Sequence, residues 1–91
     1  MNKNANIERQ LKAANRVVSG EIYRTVADDY NVSLERIRQL VYKTIRQGMH
    51  PDFLNGETIP YPIKEITDIR NHKAFWLARI KTMAIYYKVT L

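Results

Sequence analysis

The sequence predicts an all-α fold: a three-helix helix-turn-helix domain, then a loop and a C-terminal helical segment. Three observations predict it. Apolar residues recur at helical steps of three and four, with breakers between the periodic stretches. Asn31-Val32-Ser33 joins a residue tolerant of left-handed backbone to a good helix N-cap. The 91 residues suffice for one domain, or one domain plus an appendage.

Ile7, Leu11, Ala14 and Val18 place a first helix over about residues 5–18, stopped by Ser19-Gly20. Ile22, Val26, Ala27 and Tyr30 mark a short second helix over about 21–30. The third begins after Ser33, with Glu35 in the first turn where the helix dipole favours an acid. Ile37, Leu40, Val41, Thr44 and Ile45 form its inward stripe, and it ends near Gln47-Gly48. Residues 1–50 are therefore assigned to the helix-turn-helix domain.

Between 51 and 62 the texture changes. Pro51, Asn55-Gly56, Pro60 and Pro62 break regular structure. Phe53, Leu54, Ile59 and Tyr61 lie among them, which predicts a loop packed on the core. Ile66, Ile69, Lys73, Trp76, Ile80, Met83 and Tyr87 then recur at alternating steps of three and four. That is a heptad-like seam with Lys73 as its polar exception. One helix over about 63–87 fits it, and so do two helices broken at Asn71-His72. Ile85, Tyr87, Val89 and Leu91 alternate, so a terminal strand is a third option. Segment 63–91 either oligomerises through Ile66, Ile69, Trp76, Ile80, Met83 and Tyr87 or completes the core. A chain this short buries a modest core, so a homodimer is expected.

Composition narrows the function. There are no cysteines, hence no disulfide framework and no thiolate metal site. His50 and His72 are too few and too far apart for a metal site, and no cofactor is expected. No apolar run approaches the ~20 residues of a membrane span. The N-terminus, MNKNANIERQLKAANR, lacks the apolar core of a secretory signal. A cytoplasmic chain without a membrane partner is the expectation. No nucleophile–base arrangement or phosphate-cradling glycine loop points to an enzyme. The pair Asp28-Asp29 diverges by ~100° on a helix and does not converge on one site.

The charge points to a polyanion. The chain carries 15 basic and 9 acidic residues, a net +6. Residues 33–47 hold Arg36, Arg38, Lys43 and Arg46 against Glu35 alone, four basic against one acidic. This segment also meets the offsets of a DNA-reading helix-turn-helix. Ala27 is small where two helices must cross. Asn31 follows four positions on, and Val32 plugs the core. Ile37 and Leu40 anchor the second helix from beneath.

Leu34, Glu35, Arg38, Gln39 and Tyr42 are assigned to the opposite, base-reading face. Arg38 suits a guanine edge and Gln39 an adenine. Glu35 can accept from a cytosine amino group, and Leu34 can meet a thymine methyl. Arg36, Lys43 and Arg46 suit phosphates, as do Ser33 and the free amides at the helix start. Each has a plainer alternative. Glu35 can cap the helix or pair with Arg38, Arg36 can pair with Asp28 or Asp29, and Tyr42 can fill the core.

The word Glu35-Arg36-Ile37-Arg38-Gln39, followed by Lys43, Arg46 and His50-Pro51, resembles region four of bacterial primary sigma factors. That region reads the promoter −35 element. Val26, Tyr30 and Val32 also fit its pattern, and the likeness spans about residues 22–51. It implies that Glu35, Arg38 and Gln39 reach bases and that Ser33 lies near phosphates. Leu34 stands where the family usually has arginine, which changes the implied target. Nothing resembles the region that melts the −10 element, and the segment after Pro51 is unmatched. The expectation is therefore a small DNA-binding transcription regulator, of phage or mobile-element type, not a complete sigma factor. Its partner would be double-stranded DNA, and a dimer would set two reading helices ~34 Å apart. The alternatives are a sigma-like module that binds RNA polymerase and a DNA-binding phage packaging or replication subunit.

Overall fold

The structure, a computed structural model, describes residues 3–49 and 65–91, with side chains from residue 6 onward. Five helices run through them: α1 (Lys3–Val18), α2 (Tyr23–Tyr30), α3 (Leu34–Gly48), α4 (Ile66–Arg70) and α5 (Lys73–Tyr87). No strand occurs among the described residues, and the chain is all-α as expected. The expected loop over 51–62, with its prolines and Phe53, Leu54, Ile59 and Tyr61, lies outside the described residues, as does His50.

α1 is the spine, because it is apolar on two faces. Leu11, Ala14 and Val18 pack with Ile45 of α3, Ile69 of α4 and Trp76, Ile80, Met83 and Ala84 of α5. Ala13 and Val17 pack with Val26 and Ala27 of α2 and Ile37, Leu40 and Val41 of α3. The periodic stripe found in the sequence is the first face; the second is hidden by its two small residues. Each large aliphatic buried here is worth about 1.5–3 kcal/mol. Among the described residues two polar ones are buried; they lie between α1 and α3 and are bonded. The Gln10 amide donates to the Gln47 side chain, and the Thr44 hydroxyl reaches the Leu40 carbonyl at 2.9 Å.

The ends of α1 and α2 follow from local chemistry. Gly20 has φ +118°, which L residues rarely adopt, and it turns the chain after α1. Arg70 of α4 then donates to the Val17 and Glu21 carbonyls at 3.1 and 2.7 Å, tying the second half of the chain to that turn. α2 begins at Tyr23 and not near Glu21. Ile22 is extended at φ −76° and ψ 148°, and Glu21 is held by Arg16 instead.

The C-terminal segment is two helices, and the break at Asn71-His72 is real. Asp68 accepts from the Glu65 amide at 3.0 Å to start α4. A single long helix and a terminal strand are both overturned. α5 runs to Tyr87, then Lys88 turns left-handed at φ 59° and the Val89 amide reaches back to the Ala84 carbonyl at 2.8 Å.

The heptad-like seam is spent inside one chain. Ile69, Trp76, Ile80 and Met83 are wholly buried against α1 and α3, Ile66 and Tyr87 are half-buried beside them, and Lys73 is exposed. Four of the six residues assigned to oligomerisation are thus unavailable to a second copy. The segment completes the core, because α1 and α3 alone leave Leu11, Ala14, Val18 and Ile45 uncovered. α3 ends at Gly48, as the sequence predicts, and this glycine has a second role. It is the last residue of α3, and its missing side chain admits Met83 and Trp76, whose atoms would lie 3.2 and 3.4 Å from a Cβ. No helix among the described residues is long and apolar enough to cross a membrane.

Candidate nucleic-acid interface

The turn between α2 and α3 has the conformation its residues favour. Asn31 is left-handed at φ 54° and ψ 46°. Its amide donates to the Asp28 carbonyl at 3.1 Å, and the Val32 amide to the Ala27 carbonyl at 3.0 Å. Ala27 is buried at the crossing and Val32 packs half-buried against the same core. Ser33 is extended, and its hydroxyl oxygen accepts from the Arg36 amide at 3.0 Å. The hydroxyl hydrogen remains free to donate to a phosphate.

Behind this cap α3 has two clean faces. Ile37, Leu40, Val41, Thr44 and Ile45 are buried, with Gly48 continuing the stripe. Glu35, Arg36, Arg38, Gln39, Lys43 and Arg46 are exposed. Among the described residues, no ion pair or side-chain hydrogen bond engages any of these six. The plainer reading of Arg36 therefore fails: Arg16 takes Asp29, together with Glu21 at 2.7 Å. Glu35 sits in the first turn without pairing to Arg38.

The helix spaces these residues unevenly across that face. At about 100° per residue, Gln39 and Arg46 lie two turns apart on its centre line, opposite the buried stripe, with Glu35 alongside. Arg36 and Lys43 form one edge. Arg38 lies on the other edge and does not stand at the centre. Its guanidinium carbon sits 5.6 Å from the centroid of the Tyr23 ring of α2. Leu34 is half-buried, and Tyr42 packs half-buried against the main core, so each shows only part of its side chain.

Tyr23 is the residue that the sequence did not single out. Its hydroxyl is buried without a hydrogen-bond partner among the described residues. Burial, with the Tyr42 phenol beside it, pushes its pKa up to about 12. The phenol thus stays neutral and offers its ring face to Arg38. Only helix spacing could have flagged it: Tyr23 precedes Val26 and Ala27 by a turn of α2. A cation held over an aromatic face keeps its charge while losing freedom of orientation. The arrangement can present one oriented guanidinium, an amide and two flanking cations to a polyanion.

No family model, curated protein or solved structure matches this chain.

Proposed function

We propose that this chain is a sequence-specific double-stranded DNA-binding transcription regulator that reads the major groove with α3, acting in the cytoplasm. The observation that carries the reading is the outer face of α3, where six polar or charged residues stand exposed without an ion pair, opposite a buried face that is apolar apart from Thr44. A helix fills the major groove, and arginine and glutamine match guanine and adenine edges there. Arg38 and Gln39 read bases, with Glu35 and the exposed part of Leu34 and Tyr42 beside them. Arg36, Lys43 and Arg46 neutralise phosphates, and Ser33 donates to one at the helix start. The resemblance of Glu35-Arg36-Ile37-Arg38-Gln39 to the −35-reading region of primary sigma factors supports the same assignment.

The test begins with selection of bound sites from random duplex DNA. Arg38→Ala then costs about 1–3 kcal/mol on the selected site and relaxes one base position. Lys43→Ala weakens all sequences alike and lowers the salt slope by about one. A wild-type chain that enriches no sequence sinks the reading, and an Arg38→Ala chain that binds its best site as tightly as wild type removes Arg38 from it.

A further inference from the structure

α2 is too short to set its own direction. It has eight residues, and no side chain caps its start: Ile22, the N-cap, is extended and 62% exposed. Helices of this length do not persist alone in water, so contacts from outside α2 fix where it begins. Those contacts gather on Glu21, the residue before the N-cap. Its carboxylate accepts two bonds from the Arg16 guanidinium, at 3.0 and 2.7 Å. Its carbonyl accepts from Arg70 Nη2 at 2.7 Å, while Arg70 Nε donates to the Val17 carbonyl at 3.1 Å. Arg70 thus reaches from α4 across the turn between α1 and α2. Both bonds use the fixed planar fork of arginine, which a lysine ammonium does not reproduce.

The same arginine lies near Tyr23. Burial, and then the Tyr42 phenol, push the pKa of the Tyr23 phenol up, while the charges of Arg70 and Arg38 oppose that rise. One phenol is therefore within electrostatic reach of two guanidiniums, one from α4 and one from α3. Arg70 spends its donors on the backbone before α2. Arg38 makes no ion pair, and its guanidinium carbon lies 5.6 Å from the centroid of the Tyr23 ring. The parts form a chain: Arg70 holds the Glu21 carbonyl, Tyr23 follows two residues on, and its ring carries Arg38. A base-reading group must be held to within about 0.5 Å by its support, so a loose start to α2 costs Arg38 its aim.

We propose that Arg70 is a positioning residue for base reading: it fixes the start of α2, so that the Tyr23 ring stays under Arg38. Arg70 touches no DNA itself. The proposal rests on the reading of DNA by α3, and it makes α4 part of the reading head as well as of the core.

Two measurements on the full chain test it, one of them without DNA. In the free chain the Tyr23 ring shields the δ-methylene protons of Arg38, which an NMR spectrum reads as an upfield shift. Tyr23→Leu is expected to abolish that shift, and Arg70→Met to remove at least half of it. Arg70→Lys keeps the stem and the charge without the fork, and is expected to act as Arg70→Met does. It also serves in place of Arg70→Met if circular dichroism shows that the latter loses helix. On the selected DNA site each Arg70 variant is expected to weaken binding about two- to five-fold, the worth of an exposed cation–π contact. Each is expected to relax the same base position as Arg38→Ala. In an Arg38→Ala background Arg70→Met is expected to cost nothing further, and in a Lys43→Ala background its full cost. An Arg38 signal that neither Arg70 variant moves overturns the proposal, as does an equal cost in both backgrounds. So does a salt slope that Arg70→Met lowers by about one and Arg70→Lys leaves alone, which would make Arg70 a phosphate contact. A wild-type chain that enriches no sequence removes the reading by α3, and the Arg38 signal then decides by itself whether Arg70 positions that side chain.

Discussion

α3 and α5 are both fifteen residues long, and they treat their surfaces in opposite ways. Every exposed residue of α3 is polar or charged, and its apolar residues are buried or half-buried. α5 buries Trp76, Ile80, Met83 and Ala84, yet also exposes Ile85 and Tyr86 among lysines. The difference teaches what each can meet. A face of hydrated charges gains little from protein and much from phosphates, through counterion release. A mixed face with apolar anchors gains by burying them against another protein. The two helices nevertheless share one core, where α3 ends at Gly48 under Met83 and Trp76.

The largest effect tests that sharing. Trp76 is wholly buried, with the Phe75 ring edge-on at 5.2 Å. Trp76→Ala is expected to cost about 3–5 kcal/mol. Because α5 covers Leu11, Ala14, Val18 and Ile45, the loss should appear in α1 and α3 as much as in α5. Urea unfolding followed by circular dichroism should show one transition, shifted to lower urea. Two transitions, the later one unchanged from wild type, would mean that residues 3–49 fold without α5 and would break the comparison.

The segment from α2 through its turn to α3 was legible because its signals are local. Ser33 caps where a serine should, and a stripe at steps of three and four marks the buried face of α3. The second half was less legible. The heptad-like seam was visible, but spacing alone does not tell a partner's groove from the chain's own: Ile69 and Ile80 read alike in either. Side-chain direction on the outer face of α3 also depends on neighbours. The spacing of α3 puts Arg38 at the edge, but the ring it meets there, Tyr23, belongs to another helix, and nothing in the spacing of α3 encodes that contact.

One pair of residues separates what was readable from what was not. α2 ends at Asn31-Val32 and α5 ends at Lys88-Val89, by the same device. Both caps are left-handed, φ 54° and 59°, and both following valines return an amide to a carbonyl five residues back. Val32 packs on one core and Val89 on the other. Asparagine announces such a cap and lysine does not, since a left-handed L residue costs about 1–2 kcal/mol unless its side chain helps. Lys88→Gly is therefore expected to stabilise the chain by about 1 kcal/mol, and Asn31→Gly by less. Thermal midpoints of the two variants check the order. Equal gains would show that asparagine brings no advantage at the first cap.

The smallest effect at neutral pH concerns the ring beneath Arg38. Tyr23→Phe keeps the aromatic face and removes a hydroxyl that is buried without a partner among the described residues. At pH 7 the variant is expected to match wild type or exceed it by up to about 1 kcal/mol. At high pH the two part. The phenol's pKa is raised in the fold to about 12, above the usual value near 10. Its neutral form therefore contributes stability that is complete below about pH 10 and is lost as the pH climbs through 12. The stability difference should therefore widen in favour of phenylalanine over that window. Urea midpoints from pH 7 to 11 measure it, and parallel curves would contradict the burial of the hydroxyl. DNA binding separates the ring from the hydroxyl. Tyr23→Phe should bind the selected site as wild type does, while Tyr23→Leu, which removes the face under Arg38, should lose about 0.5–1 kcal/mol. If Leu and Phe bind alike, Arg38 does not depend on Tyr23, and the edge of α3 is as free as its centre.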